Sequence, residues 1–169
     1  RAKGDEVLTA VVREAHARAF VARGKTLRRS PGDRAAYADF AHDEFGLGLW
    51  DLRAVRLSPG DRMQIGSALR TAGQHAGAQG WFERAIDEKR RGDVRGRVDH
   101  TSLGTSLHQV GLCLSELEQF AEARDWFERA ADEKRRGDIR GRVDHTSLGA
   151  SLLHVGSCLL RQGKFAEAR

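Results

Sequence analysis

An all-α solenoid of stacked helical hairpins is the fold class this sequence predicts, and three observations predict it. First, residues 81–124 and 126–169 are nearly one text offset by 45 positions, with 33 of 44 aligned pairs identical. A fixed period in this range marks a repeat array, in which each unit buries its apolar face by stacking on its neighbours. Second, apolar residues in the unit recur at helical spacing. Leu103, Leu107, Val110, Leu114 and Leu117 form one stripe, and Phe120, Ala123, Phe127 and Ala130 form another. Third, stop and start signals separate the stripes: Glu133-Lys134-Arg135-Arg136-Gly137 puts cations and a glycine at a helix end, and Asp144 stands where a side chain caps the next helix.

Taken in order, residues 1–57 are expected to be a helical lead-in that caps the array. Val7, Leu8, Val11, Val12, Ala15 and Ala19 predict a helix closing near Gly24. Ser-Pro-Gly-Asp-Arg occurs at 30–34 and again at 58–62, with serine as cap and proline in the first turn, so each copy opens a helix. Gly46-Leu47-Gly48 divides the segment between them. The array then occupies 58–169: a degraded unit at about 59–96, a full unit at about 99–141 and a truncated unit at about 144–169. Each is a helix, a tight turn, a second helix and a longer basic loop. Because the third copy stops in mid-unit, the chain is expected to be a piece of a larger protein.

The composition is that of a globular protein, 40% apolar and 31% charged, and its net charge of +5 leaves polyanion binding open. Basic residues are mostly arginine, which with frequent alanine and glycine suggests a bacterial source of high GC content. Cys113 and Cys158 lie one repeat apart in the same slot, so they are expected to be reduced core residues, favouring a cytoplasmic setting. No apolar run approaches the roughly 20 residues that span a bilayer, and no signal-peptide pattern is present. No membrane association is expected. Glycines at 104, 111, 149 and 156 fall inside helical pattern, where each costs about 1 kcal/mol relative to alanine. Close packing, such as Gly111 opposite Ala123, is the expected reason.

The unit resembles a tetratricopeptide repeat. Gly111 matches the small residue of that family's first helix, with Leu107 and Val110 before it and Leu114 after, while Ala123, Phe127 and Ala130 match the second helix. The family unit is about 34 residues. This longer one is similar to the kinesin-light-chain variant, in which Asp-His-Pro opens the first helix; Asp99-His100-Thr101 and Asp144-His145-Thr146 carry threonine in place of the proline. The resemblance covers roughly 59–169 and not 1–57. It implies a right-handed superhelix and a non-catalytic interaction module whose concave groove receives a peptide or a partner's helix.

The two long copies differ at eleven positions, nine of them in the first helix and its turn. Positions 105, 108, 109, 112, 115 and 116 fall within an arc of about 120° opposite the leucine stripe. The candidate groove residues are therefore Gln64, Ser67 and Arg70, then Thr105, His108, Gln109, Leu112, Ser115 and Glu116, then Leu153, His154, Ser157 and Arg161. Free drift of a solvated face is the alternative, yet the charged positions of the second helix and loop recur unchanged. Gln64, Gln109 and His154 match the second Asn of the Leu-Asn-Asn-Leu segment in light-chain-like repeats, whose amides bond a peptide backbone. The first Asn is replaced by Met63, His108 and Leu153. A carboxylate clamp would rest on Arg70 and Arg161.

A rival reading places a polyanion on the loops at 89–97 and 134–142, through Arg95, Arg97, Arg140 and Arg142. Glu88, Asp93 and Asp99 lie among these cations, and an ion-pair ladder between units is the plainer account. A third reading is a regulatory or sensing segment of a multidomain protein. His108 and Cys113 are five apart, off the spacing that puts two ligands on one helical face, so no metal is expected. No phosphate loop, dinucleotide fingerprint or nucleophile elbow occurs. Neither an enzyme nor a cofactor is expected. In the truncated unit, Leu159 and Phe165 are expected to meet another subunit.

Overall fold

The computed structural model describes residues 57–164 and 166–168, together with Val11, Val12, Ala15, Ala19 and Ala22 upstream. Those five positions are helical; the rest of the expected lead-in lies outside the described residues. Five helices follow: α1 (Pro59–Thr71), α2 (His75–Arg90), α3 (His100–Glu116), α4 (Phe120–Arg136) and α5 (His145–Arg161). Among the described residues there is no strand.

The starts of α1, α3 and α5 are fixed by side chains that take up otherwise orphaned amides. Ser58 Oγ accepts from Asp61 N at 3.2 Å, with Pro59 in the first turn. Asp99 accepts from Ser102 N at 2.8 Å, and Asp144 from Ser147 N at 3.0 Å. The second helices begin without a side-chain cap. The tight turns after α1, α3 and α5 each have a left-handed second residue: Gly73 (φ 77°), Glu118 (φ 60°) and Gly163 (φ 74°).

Helices α1 and α2 form one hairpin and α3 and α4 the next; α2 packs against α3, and α4 against α5. Phe82, Ile86, Leu103, Leu107, Val110, Cys113, Leu114, Phe127 and Ala130 join a single buried core. Fully burying a side chain of this size stabilises by about 1.5–3 kcal/mol. The in-helix glycines make room for rings. A Cβ on Gly66 would lie 2.6 Å from the Phe82 ring, and one on Gly111 would lie 2.8 Å from Phe127. Gly111 therefore accommodates the Phe127 ring, rather than Ala123 as its spacing suggested. Close backbone approach occurs instead at Gly104, whose Cβ would meet Ala130 O at 2.8 Å and Lys134 Cγ at 2.6 Å.

Helix α5 buries Ser151, Cys158 and Leu159. Leu159 is only 6% exposed within this chain, so it is not available to a second subunit as the sequence suggested. The exposed apolar residues of this helix are Leu152, Leu153 and Leu160. Phe165 lies outside the described residues.

Candidate functional site

Two lysines near the ends of the second helices organise the junctions between hairpins. Lys89 Nζ donates to Ser102 O at 3.0 Å and Ser106 Oγ at 2.7 Å. One repeat later, Lys134 Nζ donates to Ser147 O at 2.9 Å and Ser151 Oγ at 2.8 Å. Burial lowers both lysine pKa values, partly offset by the capping carboxylates Asp99 and Asp144. Each serine then turns to the first helix of the preceding hairpin: Ser106 Oγ donates to Met63 Sδ at 3.1 Å, and Ser151 Oγ pairs with His108 Nδ1 at 3.0 Å.

Valence fixes the direction of the Lys134–Ser151 bond. A lysine ammonium has only hydrogens to give, so Ser151 accepts from Lys134, and its second lone pair or its O–H meets His108 according to the imidazole tautomer. His108 is neutral at pH 7. Burial first, then the charges of Lys134, His154 and Arg70, push its pKa down to about 4. Its ring meets Phe127 edge-on at 5.0 Å and His154 at 5.1 Å, while His154 stacks on Phe127 at 4.8 Å. His108 was expected on a ligand wall and is instead held between hairpins. Met63 and His108 share one slot and face the same serine of the next hairpin, Ser106 or Ser151. Leu153, in the same slot of α5, is 74% exposed.

The remaining groove candidates divide by what holds them. Thr105 bonds its own helix through Thr101 O at 2.9 Å, and Leu112 packs against the core. Gln109 and Ser115 are half-buried, and Glu116, Ser157 and Arg161 are exposed. The Gln109 Oε1 is enclosed without a protein hydrogen-bond partner, as is Arg70 Nε. Gln64, Ser67 and Arg70 are half-buried on α1. The guanidinium of Arg161 sits 5.9 Å from the Phe120 ring centre. The structure brings together His108 and His154, with Arg70 near enough to bias the former.

The basic loops are largely self-neutralised. Asp93 accepts from the amides of Arg95 and Arg97 and, at 2.9 and 2.7 Å, from the Arg97 guanidinium. Asp138 does the same for Arg140 and Arg142, and the Arg142 contacts hold its carboxyl down at about 2. Arg97 and Arg142 are thus occupied within their own loops, leaving Arg95 and Arg140 as exposed cations. Among the described residues, no group of three or more His, Cys, Asp or Glu is placed to hold a metal ion, and no helix is long and apolar enough to cross a membrane.

Residues 104–136, which run from within α3 to the last residue of α4, match the family model of the tetratricopeptide repeat. This hairpin is similar to a tetratricopeptide repeat. Comparison with curated proteins returned no match. Tetratricopeptide repeats generally serve as non-catalytic protein-interaction units. Within this one, the lysine–serine bridge escaped the sequence reading, which counted Lys89 and its copy among solvated charges. The available signal was the identity of Lys89 with Lys134 and of Ser106 with Ser151. Glu88, bonded to Arg62 at 2.8 Å, and Glu133, bonded to His100 at 2.6 Å, likewise recur for structural reasons.

Proposed function

We propose that the chain is an interaction module, of the long-unit variety similar to kinesin-light-chain repeats, that takes an extended peptide or a partner's helix on the inner wall of α1, α3 and α5. One observation carries this reading. On the first helices, the residues left over once hairpin packing has claimed its own are Gln109, Ser115 and Glu116 in one copy and His154, Leu160 and Arg161 in the next, and these differ at every position. The buried stripe between them is identical. Polar groups such as the Gln109 amide suit the backbone of an extended peptide. Two free, buried thiols, both pushed above the ordinary range by burial, support a reducing compartment such as the cytoplasm.

Selection from a displayed random-peptide library tests the proposal. Selected peptides should lose at least tenfold in affinity to a Gln109→Ala, Glu116→Lys, Arg161→Glu variant. They should bind unchanged to a variant with reversed charge at Arg95, Arg97, Arg140 and Arg142. The opposite pattern, or salt-sensitive capture of DNA or RNA that the loop variant abolishes, would move the site to the loops and defeat the proposal.

A further inference from the structure

We propose that Lys89 is a site of acylation, and that an acyl group placed there loosens the junction between the first two hairpins. Lys89 and Lys134 make the same two bonds one repeat apart, but they differ in access. Helix α3 opens at His100, so Gly104 lies inside it, and the Lys134 stem packs there: Lys134 Cγ would lie 2.6 Å from a Cβ on Gly104. Lys134 is 2% exposed. In the first hairpin the counterpart of Gly104 is Pro59, and α1 begins at that residue. A cleft of about 250 Å³ stands there, with Pro59, Lys89, Asp99, Ser102 and Ile139 in its wall. Ser102 supplies the carbonyl that Lys89 Nζ bonds, so the cleft reaches the amino end of the side chain and not its stem alone. Lys89 is half-buried.

The bonding leaves this amine able to react. An ammonium carries three hydrogens, and two of them go to Ser102 O at 3.0 Å and Ser106 Oγ at 2.7 Å. Loss of the third keeps both bonds and leaves a lone pair directed away from the two serines, a nucleophile held in place. Burial holds Lys89 below the ordinary lysine range, against the opposing pull of Asp99, so the free amine is more abundant near neutral pH than on a solvated lysine. With an acyl phosphate as donor, the lone pair forms a C–N bond to the acyl carbon. The C–O bond to phosphate breaks, phosphate leaves with that electron pair, and one amine proton passes to water. The amide product keeps a single N–H, so it can hold one serine and not both, and the cation is gone. Pro59 and Ile139 offer the methyl of an acetyl group an apolar wall. Lys134 shares the bonds and the direction of the shift but not the opening.

Acetyl phosphate is the probe, applied to the folded chain at limited conversion, with each lysine followed by peptide mass spectrometry. Near neutral pH Lys89 should be acetylated at least tenfold faster than Lys134, and faster than the exposed Lys164. Its rate should also level off at a lower pH than that of Lys164. In the acetylated chain, hydrogen exchange should quicken at least tenfold in the last turn of α2 and the first turns of α3, and Lys89→Gln should reproduce this without treatment. Lys89→Arg keeps the charge and the donors, so the same treatment should leave its exchange at the parental rate. Lys89 as inert as Lys134, labelling slower than at Lys164, or a pH profile shared with Lys164 would each overturn the proposal. So would exchange that acetylation leaves unchanged, or that quickens equally in the treated Lys89→Arg protein.

Discussion

Ser151 bonds two neighbours at once, Lys134 and His108. It accepts from Lys134 and pairs with His108, so the junction holds one buried cation beside an imidazole that burial keeps neutral. Removing the hydroxyl in Ser151→Ala leaves both groups short of a partner. A loss of about 1–3 kcal/mol is expected in urea unfolding. Burial of His108, with the charge of Lys134 beside it, makes the junction sensitive to acid. The folded chain holds His108 at about 4 against 6.5 for a free imidazole. Below pH 6.5 the unfolded chain therefore takes a proton that the folded chain refuses, down to about pH 4. The stabilisation is complete above pH 6.5 and is lost as pH falls through that window, and His154 is shifted in the same direction. With its partial exposure discounted, this amounts to on the order of 2 kcal/mol. His108→Met, which copies the Met63–Ser106 pair, should remove about that much of the fall in unfolding free energy between pH 7 and pH 4. An unchanged pH profile would refute the assignment. None of this was legible in the sequence, since the slot of Met63, His108 and Leu153 acquires meaning only from a serine 43 residues away.

At the scale of the helix, sequence and structure agree best where the cause is local. The Ser58, Asp99 and Asp144 caps and the glycine that ends α4 are short-range chemistry, and they fall where the spacing placed them. Tertiary causes were harder to see: Gly111 was recognised as a packing residue but assigned the wrong neighbour. The structure predicts opposite outcomes for one substitution in two equivalent places. Gly104→Ala gains helix propensity but drives its methyl into Ala130 O and Lys134, so a net loss of about 1–3 kcal/mol is expected. Gly149→Ala meets nothing and should gain up to about 1 kcal/mol. Thermal melts of the two variants would check both signs. The turn between α3 and α4 offers a third case. Glu118 is left-handed where the equivalent turns have glycine, so Glu118→Gly should raise stability by about 0.5–1 kcal/mol. A lower melting temperature would mean that the glutamate makes a compensating contact in the folded chain.

Across the whole array, cohesion passes from neighbour to neighbour, because each hairpin is joined chiefly to the one before and the one after. The period was legible in the sequence for this reason: identical junctions impose identical residues. The binding surface was less legible, because a position can vary to suit the next hairpin or to suit a ligand, and one chain with two good copies presents both in the same form. Nearest-neighbour cohesion also sets how damage spreads. Phe82 lies over Gly66 within the first hairpin, whereas Phe127 touches Gly111 of α3 and stacks on His154 of α5. Truncation of either ring costs about 3–5 kcal/mol at its own site. In hydrogen exchange, Phe127→Ala should lower protection in α3, α4 and α5 together. Phe82→Ala should lower it in α1 and α2, then progressively less toward α5. Equal loss of protection in α1 and α5 after Phe82→Ala would show that the chain opens as one cooperative body, because hairpins coupled only to adjacent hairpins cannot pass a local defect undiminished from one end to the other.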